Sequence, residues 1–221
     1  MHASGGVATP MDPLENVQYT DEEFQAAVVE ATHRGTYVAA HAYTPAAITM
    51  AIENGVHSIE HANLIDSSAA ELVAARNGVV VPTLITYKAM NDFGPSLGLP
   101  ATNINKNKVV YETGLRSLEI MVNAGVTMGF GTDLIGETQT MQNEELIIRA
   151  EVQPAIDLLR SMWEVNPKLC RMEGLIGTLA PGAFGDVVVS NVNPLDDLIS
   201  FANHESSFTH VVKGGVVVKG E

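Results

Sequence analysis

Cysteine, positive charge and long apolar runs are all scarce in this chain, and each scarcity removes a class of protein. Cys170 is the only cysteine, so neither an internal disulfide nor a thiolate zinc site can form, and any metal must be held by histidine and carboxylate. A reducing compartment is compatible with that. Twelve basic side chains stand against 26 acidic ones, a formal net charge of -14, and a surface of that sign repels phosphate backbones. Nucleic acid is not an expected partner. No stretch of about 18 apolar residues occurs and the first ten residues carry no basic or apolar leader pattern, so no membrane partner is expected and a cytoplasmic location is. No Gly-x-Gly-x-x-Gly fingerprint follows a strand and no phosphate-binding P-loop occurs, which lowers the weight of nucleotide-binding sheets. What remains is a chain of 221 residues, 46% hydrophobic and 17% charged. Against roughly 25% charged in an average soluble domain, that composition suits a mostly buried α/β protein.

A unit of helix, glycine and strand recurs from Thr20 to about Asp133. Thr20 and Glu23 make a capping box, Phe24, Ala27, Val28 and Ala31 follow at helical spacing, and Gly35 sits where the helix should end. A strand over 37–41 follows. Thr44 and Pro45 open a second helix closed by Gly55, and a strand over 57–61 comes next. Asp66 caps a third helix ending at Gly78, before an apolar strand over 79–85. A longer connection, 87–107, leads to a helix over 106–124 and a strand over 126–131. Strands alternating with helices at this spacing indicate a parallel sheet, either doubly wound or part of a (β/α)8 barrel. After Asp133 one helix is expected over 143–162. From Gly177 onward short valine runs, including a hairpin over 211–218, read as an antiparallel β unit. The expected division is therefore 1–175 for the α/β part and 176–221 for the β part, with a boundary near Leu175.

The candidate chemistry rests on position. His41 lies six residues after Gly35, His61 lies six residues after Gly55, and Asp133 follows the fourth strand. In a barrel, strand ends of this kind open onto the face that carries the active site. Two imidazoles and a carboxylate suit zinc or a similar divalent ion, whose Lewis acidity can produce a hydroxide nucleophile at neutral pH. His57 shares strand parity with His61 but lies at the opposite strand end, and it reads as structural. So do His33, His204 and His210. Ser4 with Gly5 and Gly6 offers a weak signal for backbone N–H groups turned toward an anion.

Four strings carry a family resemblance: Ala-His41-Ala-Tyr43-Thr, Ile-Glu-His61-Ala-Asn63-Leu, Pro82-Thr83-Leu-Ile-Thr and Gly-Phe-Gly131-Thr-Asp133. In order and spacing they resemble the second half of the metal-dependent amidohydrolase superfamily, closest to its imidazolonepropionase-like and Xaa-Pro dipeptidase-like members. The ending, Pro181-Gly182-Ala-Phe-Gly-Asp186 with Asn193-Pro194 and the final valine hairpin, is similar to the last strands of that family's small composite β domain. The resemblance implies the C-terminal half of a (β/α)8 TIM barrel, strands five to eight, followed by strands of a composite β-sandwich. It implies that His41 and His61 are metal ligands. Asp133 would bind metal and shuttle a proton from the attacking water to the leaving amine, and Tyr43 would face the substrate. The implied cofactor is a divalent metal, zinc first, two ions in a complete member. The implied reaction is hydrolysis of an amide or peptide-like C–N bond in a small molecule or short peptide, by metal-activated hydroxide.

The family's His-x-His pair on the first barrel strand and its bridging carboxylated lysine have no counterpart in the chain. The opening His2-Ala-Ser4-Gly5-Gly6 resembles the loop that directly follows that lysine. At most one weak ion is then expected at His41, His61 and Asp133. A half-barrel leaves unpaired strand edges that association of copies would cover, so a homo-oligomer is expected. The competing reading is a catalytically inactive truncated half-barrel or an association module.

Overall fold

A computed structural model describes residues 1–96 and 98–220. The chain packs into two compact units, Met1–Leu134 and Ile135–Glu221, a division that falls earlier than the boundary near Leu175 read from the sequence. Among the described residues no helix is long and apolar enough to cross a membrane.

The first unit is an α/β layer built on a parallel sheet. Helix α1 (Asp21–His33) opens with the expected capping box, in which Thr20 accepts from the Glu23 N–H and the Glu23 carboxylate accepts from the Thr20 N–H. Gly35, at φ 63°, supplies the left-handed residue that turns the chain into β1 (Ala39–Ala42). Helix α2 (Pro45–Glu53) starts on Pro45, but the Thr44 hydroxyl makes no capping bond. Strand β2 (Ser58–His61), helix α3 (Ser67–Ala75, capped by Asp66 through the Ala69 N–H) and β3 (Val79–Val81) follow. The strand expected over 79–85 is thus shorter. Pro82 has no N–H to continue a ladder, and Leu84 and Ile85 open α4 (Leu84–Phe93) instead. The connection expected over 87–107 holds most of that helix, and α5 (Ala101–Asn123) begins five residues before Lys106. Strand β4 is only Thr127–Met128.

The sheet order is β1-β2-β3-β4, all parallel. Ile48, Ile59, Ile85 and Leu118 have no exposed surface, and each contributes about 1.5–3 kcal/mol by leaving water. The opening residues do more than form a loop. The His41 N–H donates to Met1 O at 2.9 Å and the Ala3 N–H donates to His41 O at 2.8 Å, so His2 bridges to His41 in parallel fashion and covers part of the outer edge of β1.

In the second unit the helix expected over 143–162 is interrupted. Helix α6 (Glu144–Arg149) stops before Pro154, whose ring and missing N–H break a helix interior, and α7 (Ala155–Arg160) starts after it. The turn over Ser161–Val165 is a π-helix. Strands β5 (Val187–Ser190), β6 (Phe208–Lys213) and β7 (Val216–Lys219) form an antiparallel sheet in that order. Gly214 and Gly215, at φ 57° and 81°, are the two central residues of the β6–β7 hairpin. A two-residue turn with positive φ at both positions matches the strand twist, and glycine adopts it without strain.

Candidate active site

The ends of β1 and β2 bring His41 and His61 together. Parallel pairing places Ala42 opposite His61 and Glu60 opposite His41, a one-residue offset between the two histidines. The backbone leaves the regular strand at that point: His61 has φ 81° and Ala62 has φ 56°, a left-handed pair that costs about 1–3 kcal/mol per residue. The two imidazoles then meet, with His41 Nδ1 and His61 Nε2 2.9 Å apart. On its other side His61 Nδ1 lies 2.8 Å from Thr83 Oγ1, just after β3.

A column of rings extends from this pair. His2 stacks on His41 with centroids 4.5 Å apart and planes 10° apart, and Tyr43 stacks on His61 at 5.1 Å and 9°. The Tyr87 hydroxyl, from α4, donates to the Tyr43 hydroxyl at 3.1 Å. Val7, Leu14, Tyr43, Tyr87 and Val110 pack as one buried cluster. Tyr43 is 6% exposed. Burial, the largest influence, pushes its phenol up to about 12, so it stays a neutral hydroxyl.

Electrostatics follow from the same packing. Burial, then the neighbouring charges of His41 and His2, hold His61 down to about 3. His41 is lowered for the same first reason, with His2 and the N-terminal ammonium adding to it. Both rings are neutral at pH 7, the state in which a nitrogen lone pair can bind a cation. Asp133 follows β4 at φ 52°, and its carbonyl accepts from the Thr86 hydroxyl at 3.1 Å. Gly131 lets the chain run there against β3, since a Cβ would lie 2.8 Å from Val81 Cγ1. The Asp133 side chain is exposed by surface area, yet partial desolvation raises its carboxyl above the ordinary value. Its charge also pushes up Tyr43, Tyr87 and Glu60, after burial in each case.

Two nitrogens held about 2.0–2.1 Å from one tetrahedral ion stand about 3.3 Å apart. His41 Nδ1 and His61 Nε2, at 2.9 Å, need move only a few tenths of an ångström to serve as such a pair. The bond from His61 Nδ1 to Thr83 is the kind of outer contact that orients a ligating imidazole. The pair therefore fits two positions of a zinc-like ion. A complete ligand set is a different matter, because among the described residues no group of three His, Cys, Asp or Glu is arranged to hold an ion.

The remaining sequence candidates lie elsewhere. His57 packs edge-on to Tyr37 at 5.0 Å; His204 and His210 belong to the second unit. The Ser4–Gly5 segment presents no free anion nest: the Ser4 hydroxyl accepts from the Tyr43 N–H and the Gly5 N–H donates to Asn16 O. Sequence reasoning missed His2, Thr83 and Tyr87 as neighbours of the pair. Thr83 had a signal, since it follows a strand as His41 and His61 do. Tyr87 had none, because the helix that turns it inward was read as loop.

Comparison with known proteins gives the chain a family. The amidohydrolase family model matches residues 1–218. An ochratoxinase of Aspergillus niger is 28% identical over 222 residues, covering 99% of this chain and 45% of the relative. Among solved structures, an amidohydrolase superposes with a TM-score of 0.95 at 45% identity, over 100% of this chain and 53% of its own. A prolidase complexed with N-methylphosphonate-L-proline superposes at 0.94 with 44% identity, over 100% and 54%. A Xaa-Pro dipeptidase with methionine bound in its active site gives 0.88 at 26%, over 99% and 53%. The chain spans about half the length of the relatives it matches.

Proposed function

The chain belongs to the amidohydrolase family, and we propose that it supplies the C-terminal half of a metal-dependent barrel hydrolase that cleaves amide or peptide-like C–N bonds. The observation that carries this reading is the facing of His41 Nδ1 and His61 Nε2 at adjacent parallel strand ends, with both rings neutral. The parallel sheet stands for strands five to eight of the barrel, and β5, β6 and β7 for part of a composite β domain. The likeness to a prolidase, a Xaa-Pro dipeptidase and an ochratoxinase supports a substrate in which an acyl group is joined to an amino acid through nitrogen.

His41 and His61 would hold a divalent ion, zinc first, through those two nitrogens. When bound, the ion supplies Lewis acidity toward water and the scissile carbonyl. Asp133 holds a carboxyl whose raised proton affinity suits taking a proton from water and passing it to the leaving nitrogen. The stacked ring of Tyr43 and the apolar cluster that holds it keep His61 at 4% exposure, which strengthens charge interactions on that side of the pair. A second reading, a half-barrel or association module that stays catalytically inactive even beside a first half, is favoured by the missing third ligand among the described residues.

Zinc titration of the purified 221-residue chain, combined with hydrolysis assays on Xaa-Pro dipeptides, separates these readings. The expected result is one weakly bound ion, lost in His61→Ala, and turnover only after reconstitution with the first half of the 45%-identical amidohydrolase. Asp133→Asn should abolish that turnover without loss of the ion. Failure of the chain to bind zinc, or full turnover by Asp133→Asn, would overturn the assignment.

A further inference from the structure

The hydroxyl groups beneath the histidine pair form a chain with a fixed direction. The Tyr87 hydroxyl gives its hydrogen to Tyr43. A phenol has one hydrogen, so toward its other neighbour the Tyr87 oxygen can only accept. That neighbour is Thr83, at the start of the same helix, whose hydroxyl acts on the Tyr87 phenol as a hydrogen-bond donor and lowers it. The Thr83 hydrogen is thereby spent as well, and its oxygen must accept from whatever lies opposite. Opposite it, at 2.8 Å, is His61 Nδ1. Thr83 is 4% exposed, Tyr87 1% and His61 4%, so bulk water does not reach the chain to reverse it.

Resting on the metal reading above, we propose that Thr83 is a positioning residue that, oriented by Tyr87 and Tyr43, holds His61 as the Nδ1–H tautomer and so presents a bare Nε2 lone pair to the cation. No proton is gained or lost in this arrangement; only its place on the ring is chosen. Without the Thr83 acceptor, neutral imidazole has a free choice, and any Nε2–H fraction is unable to ligate. The bond across to His41 Nδ1 does not make the choice by itself, because either ring can donate across it. The hydroxyl chain decides which one does: without metal His41 Nδ1–H donates to His61 Nε2, and His41 shifts that hydrogen to its own Nε2 when its Nδ1 ligates.

The experiment uses the full 221-residue chain labelled with nitrogen-15, reading the His61 ring nitrogens by NMR without metal and the zinc affinity by competition with a chromophoric chelator. Wild type should show Nδ1 protonated and Nε2 bare. Thr83→Val, nearly isosteric but without the hydroxyl, should mix the tautomers and weaken zinc binding about 10–100-fold. Thr83→Ser should restore both readings. Tyr87→Phe keeps Thr83 but removes its acceptor, freeing the Thr83 hydrogen to point at His61 Nδ1, and should move the ring toward Nε2–H. A packing role alone would not produce that. An Nε2–H ring in wild type, or an unchanged tautomer in both Thr83→Val and Tyr87→Phe, would overturn the proposal. If Thr83→Val does not fold, Tyr87→Phe against wild type decides. If wild type binds no zinc, the metal reading falls while the tautomer measurement still decides the role of Thr83.

Discussion

Replacing Lys106 by methionine should release the segment between Gly5 and Asn16 from the first unit while leaving the sheet folded. The Lys106 ammonium, reaching from α5, donates to three backbone carbonyls of that segment: Gly6 O at 3.2 Å, Thr9 O at 2.6 Å and Asp12 O. Hydrogen bonds to a charged donor contribute about 1.5–3 kcal/mol when buried. These are partly open to water, and the Thr9 contact is exposed, so about 1 kcal/mol each is the reasonable share. Freeing the lysine side chain returns about 1 kcal/mol of rotamer entropy. The net loss is about 2 kcal/mol, or ~30-fold in the opening equilibrium of the segment. Two amides report it directly, Gly5 N–H to Asn16 O and Gln18 N–H to Ala3 O, both at 3.0 Å. Native-state hydrogen exchange should show them ~30-fold faster in Lys106→Met, with the amides of Ile59 and Val80 unchanged. A change under about threefold would refute the reasoning, as would equal acceleration in the strands, which would mean global unfolding.

Two further outcomes follow from the packing. Gly5→Ala should cost more than about 2 kcal/mol and lower the urea midpoint, because the added Cβ would stand 1.8 Å from Pro13 O, a backbone atom that cannot swing aside; an unchanged midpoint would contradict the placement of that turn. His61 sets a pH dependence of the metal-free chain: its ordinary value is 6.5 and its folded value about 3. Below pH 6.5 the unfolded chain takes up a proton that the folded chain refuses, so stability should fall as pH drops from 6.5 toward 3, with no contribution from this group above 6.5. Urea midpoints measured across that range should fall less steeply in His61→Asn, and identical slopes would refute the burial argument.

Much of this was legible because it is local. Capping at Thr20 and Asp66, the left-handed glycines at 35 and 55, and the glycine pair at 214 and 215 each act over a few residues, so type and place could be read together. The repeat of helix, glycine and strand also puts His41 and His61 at corresponding strand ends. Reading failed where one residue changes the outcome of a longer pattern. Pro82 ends an apolar run that looked like a single strand, and Pro154 divides what looked like one helix. The helix holding Tyr87 is not legible in the sequence, because its inward face packs with Val7, Leu14 and Val110, residues distant in sequence.

The sequence alone determined the alternation of helix and strand up to β3, the parallel sheet and the two imidazoles, because hydrophobic period and turn chemistry are written residue by residue. Only the tertiary structure decided which nitrogens face each other, that His2 closes over His41, and that Thr83 and Tyr87 stand behind His61. Those are facts of distance and hydrogen-bond direction across strands and helices, and a hydroxyl has no direction until its neighbours are packed around it.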